Sequence, residues 1–303
     1  MDIRYDGRVA LVTGAGGGLG RSHALFLAAR GARVVVNDLG GALDGQGGSA
    51  GAAERVADEI RAAGGEAIAN GESVADPRAA ARMVAATLDA FGRLDILVNN
   101  AGILRDKTLA KMDMADFERV VSVHLLGSAY VTRAAWPAMQ ERQYGRIVMT
   151  TSAAGLYGNF GQSNYAAAKL GLVGLMNALK QEGRKHNILV NTVAPVAFTR
   201  MTESLLPAQA REMLRPEMVT PLVAYFCSEA CQESGQIVSA GGGFFAKVEM
   251  VEGRGRRFDP ARPVTPEMLA REWGAITDMS GAAPFASAND EVMRIFQTEP
   301  SRP

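Results

Sequence analysis

The stretch Arg8–Gly20, RVALVTGAGGGLG, contains the pattern that decides the fold. It begins with apolar residues typical of a buried β-strand, continues into a glycine-rich turn, and leads into a segment with helical spacing that reaches Arg30. Because glycine has no Cβ atom, the backbone N–H groups of such a turn and the positive end of the next helix can approach a pyrophosphate closely. The order strand, glycine turn, helix therefore predicts the first unit of a dinucleotide-binding α/β sheet.

A second apolar segment, Arg33–Asn37, ends at Asp38. An acidic residue at the end of the second strand can accept hydrogen bonds from the hydroxyls of an adenosine ribose, and its charge repels a 2′-phosphate. No basic residue stands at Gly17 or Leu39. We therefore expect NAD, rather than NADP, as the cofactor. The alternative interpretation is a solvated acid at a strand end.

A second motif lies in the middle of the chain. Ser152 follows the apolar run Arg146–Thr150, and Tyr165 and Lys169 follow it by 13 and 17 positions on a segment with helical spacing. Positions four apart share a helix face, so the Lys169 ammonium can approach the Tyr165 phenol, while the strand end holds the Ser152 hydroxyl at the rim of the sheet. A phenol titrates at about 10 in water, and a neighbouring cation lowers that pKa by roughly one to three units. These residues predict a proton-transfer site; the alternative is a Tyr and a Lys on an ordinary amphipathic helix.

Together these motifs resemble the short-chain dehydrogenase/reductase family. Its glycine pattern, T-G-x-x-x-G-x-G, matches Thr13–Gly20, and its N-N-A-G signature matches Asn99–Gly102. The resemblance implies an α/β fold with a doubly wound parallel sheet (Rossmann) in the strand order 3-2-1-4-5-6-7. It also implies an oxidoreductase in which Ser152, Tyr165 and Lys169 polarise a carbonyl or an alcohol beside a nicotinamide.

The resemblance further implies which residues bind the cofactor. Glu72, Ser73 and Val74 fall where family members frame the adenine, and Thr199 stands where its hydroxyl can bond the nicotinamide carboxamide. The expected cofactor-binding residues are Gly14, Gly18, Leu19, Gly20, Asp38, Ser73, Val74, Asn100, Ala101, Gly102, Tyr165, Lys169, Pro195 and Thr199.

The sequence departs from the family pattern at two positions. His124 stands where the family usually has an Asn that takes part in a proton relay from the catalytic Lys, and Val196 follows Pro195 where Gly is usual. His124 is therefore a candidate catalytic residue, although a His on a buried helix is more often a satisfied core residue. The segment Thr202–Arg215 falls where the family usually has a lid over the substrate, with an amphipathic surface helix as the alternative.

The C-terminal segment is longer than the family usually has. We expect a domain at residues 1–243 and an extension at residues 244–303 that packs on the domain or on a dimer interface, because it contains several large apolar side chains. These side chains are Phe244, Phe245, Trp273, Phe285 and Phe296.

The extension, together with motifs such as VVVNDLGG and YGNFGQSNYAAAKLGL, resembles the dehydrogenase units of the type-2 multifunctional β-oxidation enzymes. That resemblance implies NAD-dependent oxidation of an (R)-3-hydroxyacyl-CoA thioester. A 17β-hydroxysteroid dehydrogenase, a 3-oxoacyl reductase and a catalytically silent NAD-binding module remain alternatives. The family also implies a homodimer or a homotetramer.

Composition argues against several kinds of partner. The 303 residues carry a formal net charge of zero, which offers no electrostatic attraction to nucleic acid or to an anionic membrane, so we expect neither as a partner. Residues 1–8 lack the apolar core of a signal peptide, no apolar run reaches the length of a membrane span, and residues 301–303 are not an S-K-L signal. We expect a cytoplasmic location. No His stands near Cys227 and Cys231 in sequence, so no metal site is expected.

Overall fold

The computed structural model describes residues 2–42, 44–49, 51–203, 207 and 209–297. Part of the predicted lid, residues 204–206 and 208, lies outside the described residues, as do residues 301–303. None of the described helices is both long enough and apolar enough to cross a membrane.

Within the described residues, eight strands form one sheet in the order β3-β2-β1-β4-β5-β6-β7-β8. All paired neighbours from β1 to β7 run parallel, which confirms the predicted doubly wound order. The central strands β1, β4 and β5 are buried along their whole length, as expected for strands covered on both faces. The strands are β1 Val9–Thr13, β2 Arg33–Asn37, β3 Ala67–Asn70, β4 Ile96–Asn99, β5 Gly145–Thr150, β6 Ile188–Pro195, β7 Ile237–Gly241 and β8 Phe244–Val248.

Strand β8 adds to the seven strands that the sequence predicts. It follows β7 after Gly242 and Gly243, which both have positive φ angles, 57° and 81°. Two residues with positive φ form a two-residue hairpin turn, and this conformation favours glycine because a Cβ atom is strained there. The glycine run therefore returns the chain to the sheet edge instead of ending the sheet.

Helices α1 to α9 lie between the strands along the chain, and α10 and α11 follow β8. They are α1 Gly18–Ala29, α2 Gly51–Ala62, α3 Pro77–Phe91, α4 Met114–Val121, α5 Gly127–Glu141, α6 Ala153–Tyr157, α7 Ser163–Gly183, α8 Ala210–Met213, α9 Thr220–Cys227, α10 Pro266–Ile276 and α11 Ala288–Gln297. A π-helical segment, Ser122–Leu126, joins α4 to α5. Such single-turn widenings of a helix are frequent at functional sites.

The chain divides into two compact units, residues 1–247 and 248–303. In the second unit, α10 begins with Pro266 in its first turn, and the Thr265 hydroxyl accepts a hydrogen bond from the Met268 N–H at 3.4 Å. The expected burial of the aromatic side chains within this chain is wrong for Phe244, Phe245, Trp273 and Phe296, which are all exposed. Packing of the extension on the domain or on a dimer interface stays a prediction.

Candidate active site

The glycine turn after β1 lies directly against the N-N-A-G segment. Gly14 and Gly18 have positive φ angles, 65° and 53°, and a Cβ atom on Gly14 would lie only 2.7 Å from the Cα atom of Ala101. A Cβ atom on Gly20 would lie 2.3 Å from the carbonyl oxygen of Gly14, so Gly20 permits close packing of α1 beneath the turn. The three glycines therefore determine how closely the turn, α1 and the end of β4 approach one another.

Asn100 ties the N-N-A-G segment to the glycine turn. Its side-chain amide donates hydrogen bonds to the carbonyl oxygens of Thr13 and Gly14, at 3.0 and 3.1 Å. The Thr13 hydroxyl accepts hydrogen bonds from the N–H groups of Asn100 and Ala101 in return. Asn99, in contrast, is buried and donates to the Thr132 hydroxyl at 3.0 Å, so it braces β4 against α5.

Two backbone amides orient the Asp38 carboxylate at the end of β2. One carboxylate oxygen accepts a hydrogen bond from the Gly16 N–H at 2.8 Å, and the other accepts one from the Gly40 N–H at 2.6 Å. Each carboxylate oxygen has a second lone pair. The acid is therefore oriented at the mouth of the glycine turn with acceptor capacity left for ribose hydroxyls.

A cleft runs along the carboxyl ends of β1, β2 and β4, where ligands bind in open α/β sheets. Most of the expected cofactor-binding residues line it: Gly14, Gly18, Leu19, Asp38, Ser73, Val74, Asn100, Ala101, Gly102 and Thr199. Gly20 and Pro195 do not, because Gly20 is buried beneath the turn and Pro195 ends β6. Tyr165 and Lys169 also lie outside its lining.

Sequence reasoning missed several residues that line the cleft. They are Gly17, Asn37, Leu39, Gly41, Ala42, Gly45, Ile103, Arg119, Val123, Arg200 and Met201. The four-residue spacing of Arg119 and Val123 places both on one helix face and is a signal that could have identified this pair. The loop after β2 carries no periodic signal, so only its folded conformation brings Gly41, Ala42 and Gly45 to the cleft.

Ser152, Tyr165 and Lys169 converge at the carboxyl end of β5, as the spacing predicts. Ser152 caps α6 by accepting a hydrogen bond from the Ala154 N–H at 3.2 Å, and its hydroxyl also hydrogen-bonds Tyr165. Lys169 is buried, and its Nζ lies 5.4 Å from the centroid of the Tyr165 ring. The ammonium donates a hydrogen bond to the Thr150 carbonyl oxygen at 2.6 Å, which leaves two of its three donors for other partners.

The pKa of Tyr165 is shifted in the direction opposite to the one that its spacing to Lys169 predicts. Burial raises the pKa of Tyr165 to about 12, the hydrogen bond from Ser152 opposes that rise, and the charge of Asp106 adds to it. Burial also lowers the pKa of Lys169 to about 7. The same water-poor surroundings disfavour both the phenolate and the ammonium, so the expected lowering of the phenol pKa by Lys169 is wrong for this structure.

His124 lies in the π-helical segment and packs edge-on against Tyr165, with the ring centroids 5.1 Å apart at 87°. Its Nε2 lies 3.0 Å from the N–H and 2.8 Å from the carbonyl oxygen of Ile103, whereas its buried Nδ1 has no hydrogen-bond partner among the described residues. Burial and the nearby Lys169 charge hold the pKa of His124 well below its usual range, so the imidazole is neutral. A Cβ atom on Gly102 would lie 2.2 Å from the His124 ring, so the ring requires a glycine there.

The site therefore combines a cleft suited to a dinucleotide with a buried acid/base cluster. Gly102 connects the two, because it lines the cleft and contacts the His124 ring that packs on Tyr165. Among the described residues, no three His, Cys, Asp or Glu side chains are grouped as the ligands of a metal ion would be.

Comparison with known proteins places these motifs in a family. The family model "short chain dehydrogenase" matches residues 8–210. The peroxisomal multifunctional enzyme type 2 of Drosophila melanogaster is 51% identical over 300 residues, which cover 97% of this chain and 50% of that enzyme. The chain thus spans about half the length of this relative. The solved structure of that full-length enzyme matches with a TM-score of 0.83 at 42% identity, over 97% of this chain and 50% of the other.

Two further similar proteins are named as dehydrogenases. The hydroxyacyl-CoA dehydrogenase ChsB1 of Mycobacterium tuberculosis is 41% identical over 250 residues, which cover 76% of each chain. A 7α-hydroxysteroid dehydrogenase solved with NADH and 7-oxo glycochenodeoxycholic acid matches with a TM-score of 0.71 at 30% identity, over 79% of this chain and 95% of the other. The family match, the sheet order and the converging Ser152, Tyr165 and Lys169 lead to one conclusion: this chain belongs to the short-chain dehydrogenase family.

Proposed function

We propose that this protein oxidises a secondary alcohol to a ketone with NAD, and that its substrate is an (R)-3-hydroxyacyl-CoA thioester, which becomes a 3-oxoacyl-CoA. The observation that carries the proposal is the convergence of Ser152, Tyr165 and Lys169 beside the glycine-lined cleft. The name of the hydroxyacyl-CoA dehydrogenase relative supports the thioester substrate. The (R) configuration rests on the resemblance to the type-2 multifunctional enzymes.

The cleft fits NAD. Gly17 has open space where a Cβ atom would stand and precedes α1 without a side-chain cap, so the first N–H groups of α1 are available to a pyrophosphate. Asp38 would accept hydrogen bonds from the adenosine ribose, and Tyr165 and Lys169 would hold the nicotinamide ribose. When bound, NAD supplies the hydride acceptor and a positive charge beside the phenol.

The residues around Tyr165 have different roles in the proposed proton transfer from the substrate alcohol. Ser152 hydrogen-bonds the substrate oxygen and orients it toward Tyr165. The base is the phenolate form of Tyr165, which burial disfavours and the positive charge of bound NAD would favour. The phenolate takes the hydroxyl proton while hydride leaves the substrate carbon. Lys169 borders the phenol and, with a pKa of about 7, can exchange a proton near neutral pH. The His124 ring contacts the Tyr165 ring at a right angle, and His124 remains a candidate catalytic residue.

The test is the variant Tyr165→Phe, which keeps the ring but removes the group that transfers the proton. Turnover of an (R)-3-hydroxyacyl-CoA, followed as NADH formation, should fall by roughly two or more orders of magnitude while NADH binding persists. Tyr157→Phe is the matched control, because Tyr157 lies on the neighbouring helix with an exposed side chain. Near-normal turnover of Tyr165→Phe would sink the assignment and would favour a catalytically silent NAD-binding module.

A hydroxysteroid is the second candidate substrate, and the likeness to the 7α-hydroxysteroid dehydrogenase structure favours it. Rates on a panel of (R)- and (S)-3-hydroxyacyl-CoA thioesters and hydroxysteroids decide between the two. A higher kcat/KM for any steroid than for every (R)-thioester would replace the proposed substrate.

The cofactor preference can be tested through Asp38. The native protein should prefer NAD to NADP, and Asp38→Ala should narrow that preference because it removes the charge that repels a 2′-phosphate. Equal kcat/KM values for the two cofactors in the native protein would refute the preference.

Assembly and location complete the proposal. We expect a homodimer or homotetramer that pairs through the helices around His124 and Tyr165, so a monomer in sedimentation at micromolar concentration would contradict it. A cytoplasmic location stays a prediction for cell fractionation, since the Drosophila relative is named peroxisomal.

A further inference from the structure

The loop that follows β2 folds into a closed unit at the edge of the cleft. We call residues 39–42 and 44–49 the glycine loop. Its ends meet, because the Ser49 N–H donates to the Leu39 carbonyl oxygen at 2.9 Å, and the Ala42 and Gln46 backbones are joined by a second hydrogen bond of 2.9 Å. Leu39, Gly41, Ala42 and Gly45 line the cleft. The glycine loop thus forms one wall of the candidate cofactor site.

One side chain fastens this wall. The Arg105 Nε donates a hydrogen bond to the carbonyl oxygen of Asp44 at 2.7 Å, and a terminal nitrogen of the same guanidinium donates to the Asp116 carboxylate at 2.6 Å. Arg105 does not itself line the cleft, and its side chain is only 22% exposed. Gly45 meets the Ile103 side chain on the same segment, since a Cβ atom on Gly45 would lie 3.1 Å from the Ile103 Cγ2.

The segment that holds the glycine loop also contacts the catalytic cluster. The carbonyl oxygen of Arg105 accepts a hydrogen bond from the Asn164 amide at 3.0 Å, next to Tyr165, and the Ile103 backbone bonds the His124 ring. On the loop side, the Gly40 N–H orients Asp38. A displacement of the glycine loop would therefore alter both the wall of the cleft and the support of Asp38.

We propose that Arg105 is a positioning residue for the cofactor, and that it fastens the glycine loop across the cleft through Asp44 while Asp116 fixes its guanidinium. The proposal rests on the proposed use of the cleft for NAD. Arginine suits this role because its rigid fork can serve a carbonyl and a carboxylate at once, which the single ammonium of a lysine does less well.

The first experiment compares Arg105→Ala with Lys107→Ala. Lys107 is the matched control, because it pairs with the same Asp116 at 3.3 Å but is 52% exposed and makes no hydrogen bond to the glycine loop. Titration with NADH, followed by its fluorescence, should give a Kd about tenfold higher for Arg105→Ala, the expected cost of one charge-assisted hydrogen bond. Lys107→Ala should stay within about twofold of the native protein, and Arg105→Lys should fall between the two.

Hydrogen exchange of the protein without cofactor supplies a readout independent of NADH. The amides of Gly40 and Ser49, which donate to Asp38 and Leu39, should exchange faster in Arg105→Ala than in Lys107→Ala, while the amides of β4 and β5 should not change. Unchanged exchange of the glycine loop, or equal Kd values for the two variants, would overturn the proposal. Absence of NADH binding to the native protein would instead refute the proposed cofactor.

If Arg105→Ala does not fold, a second pair of variants tests the contact between the glycine loop and Ile103 by changing the loop itself. Gly45→Ala and Gly47→Ala strain the backbone alike, at φ angles of 79° and 70°. Only the first methyl group meets Ile103, because no atom of the described residues lies within 4 Å of the second. We expect NADH affinity to fall about tenfold for Gly45→Ala and less than about twofold for Gly47→Ala. Equal losses of NADH affinity in the two variants would show that backbone strain within the loop, and not its attachment to the segment of Ile103 and Arg105, affects cofactor binding. That result would overturn the proposal.

Discussion

Lys169 is a buried cation whose surroundings link protonation to folding. Its pKa falls from 10.5 to about 7 because burial disfavours the ammonium. Between these two pKa values, the Lys169 side chain is protonated in the unfolded chain and neutral in the folded chain, so the free energy of unfolding rises with pH. The contribution of Lys169 to stability is complete above about pH 10.5 and is lost as the pH falls through about 7. We expect the free energy of unfolding of the native protein, relative to that of Lys169→Met, to rise with pH across this window. Urea unfolding of both proteins from pH 6 to 10 measures it, and a flat difference would contradict the lowered pKa.

Gly102 is the residue on which the fit between the cleft and the catalytic cluster depends. In Gly102→Ala the new methyl group would meet the His124 ring, which Ile103 holds through its backbone, so the free energy of unfolding should fall by roughly 1–3 kcal/mol. Gly174→Ala is the control, because no atom of the part of the chain that the structure describes lies within 4 Å of a Cβ atom there. In a His124→Ala background, Gly102→Ala should cost little. A loss as large as in the native background would show that the ring is not the obstacle.

At the scale of elements, buried hydroxyls join α1 to α9. The Thr220 hydroxyl lies 2.7 Å from the Ser22 hydroxyl and 2.8 Å from the Nδ1 of His23, and all three residues are buried. Thr220→Val keeps the shape but leaves both α1 partners unsatisfied, which should cost roughly 1–3 kcal/mol for each. Urea unfolding should show this loss, whereas Thr108→Val, whose hydroxyl makes no cap hydrogen bond, should change stability by less than about 0.5 kcal/mol. Equal effects would refute the role of this contact.

At the scale of the whole molecule, β8 determines where the sheet ends. A chain that stops at Gly243 lacks β8 and exposes the hydrogen-bonding edge of β7, whereas a chain that stops at Lys247 keeps four of the five β8 residues. The shorter chain should therefore melt at a lower temperature, by about 2–4 °C for each kcal/mol of lost stability. Calorimetry of the two chains checks this. Equal melting temperatures would mean that β8 adds nothing to the stability of the sheet.

The same truncations test the extension as part of the substrate site. If residues beyond 247 help to form that site, both shortened chains should show a raised KM for an (R)-3-hydroxyacyl-CoA. An unchanged KM in a folded chain would remove the extension from the argument for a thioester substrate. The exposed side chains of Trp273 and Phe296 are consistent with burial by a partner subunit, which remains a prediction.

Local patterns in the sequence determined most of the architecture and part of the site. The apolar runs of β1 and β2, the glycine turn between β1 and α1, and the four-residue spacing of Tyr165 and Lys169 are properties of neighbouring residues, so they can be recognised without the fold. The convergence of the Ser, Tyr and Lys side chains follows from these patterns, whereas the parallel strand order follows from the family resemblance that the same motifs carry.

Only the tertiary structure decided the features that depend on residues far apart in the chain. The contact of Gly102 with His124 and the hydrogen bond from Arg105 to Asp44 join segments that no local pattern connects. The direction of the Tyr165 pKa belongs here as well. Desolvation depends on everything packed around a group, and the spacing to Lys169 shows only one neighbour, so the sequence predicted a lowered pKa where burial raises it.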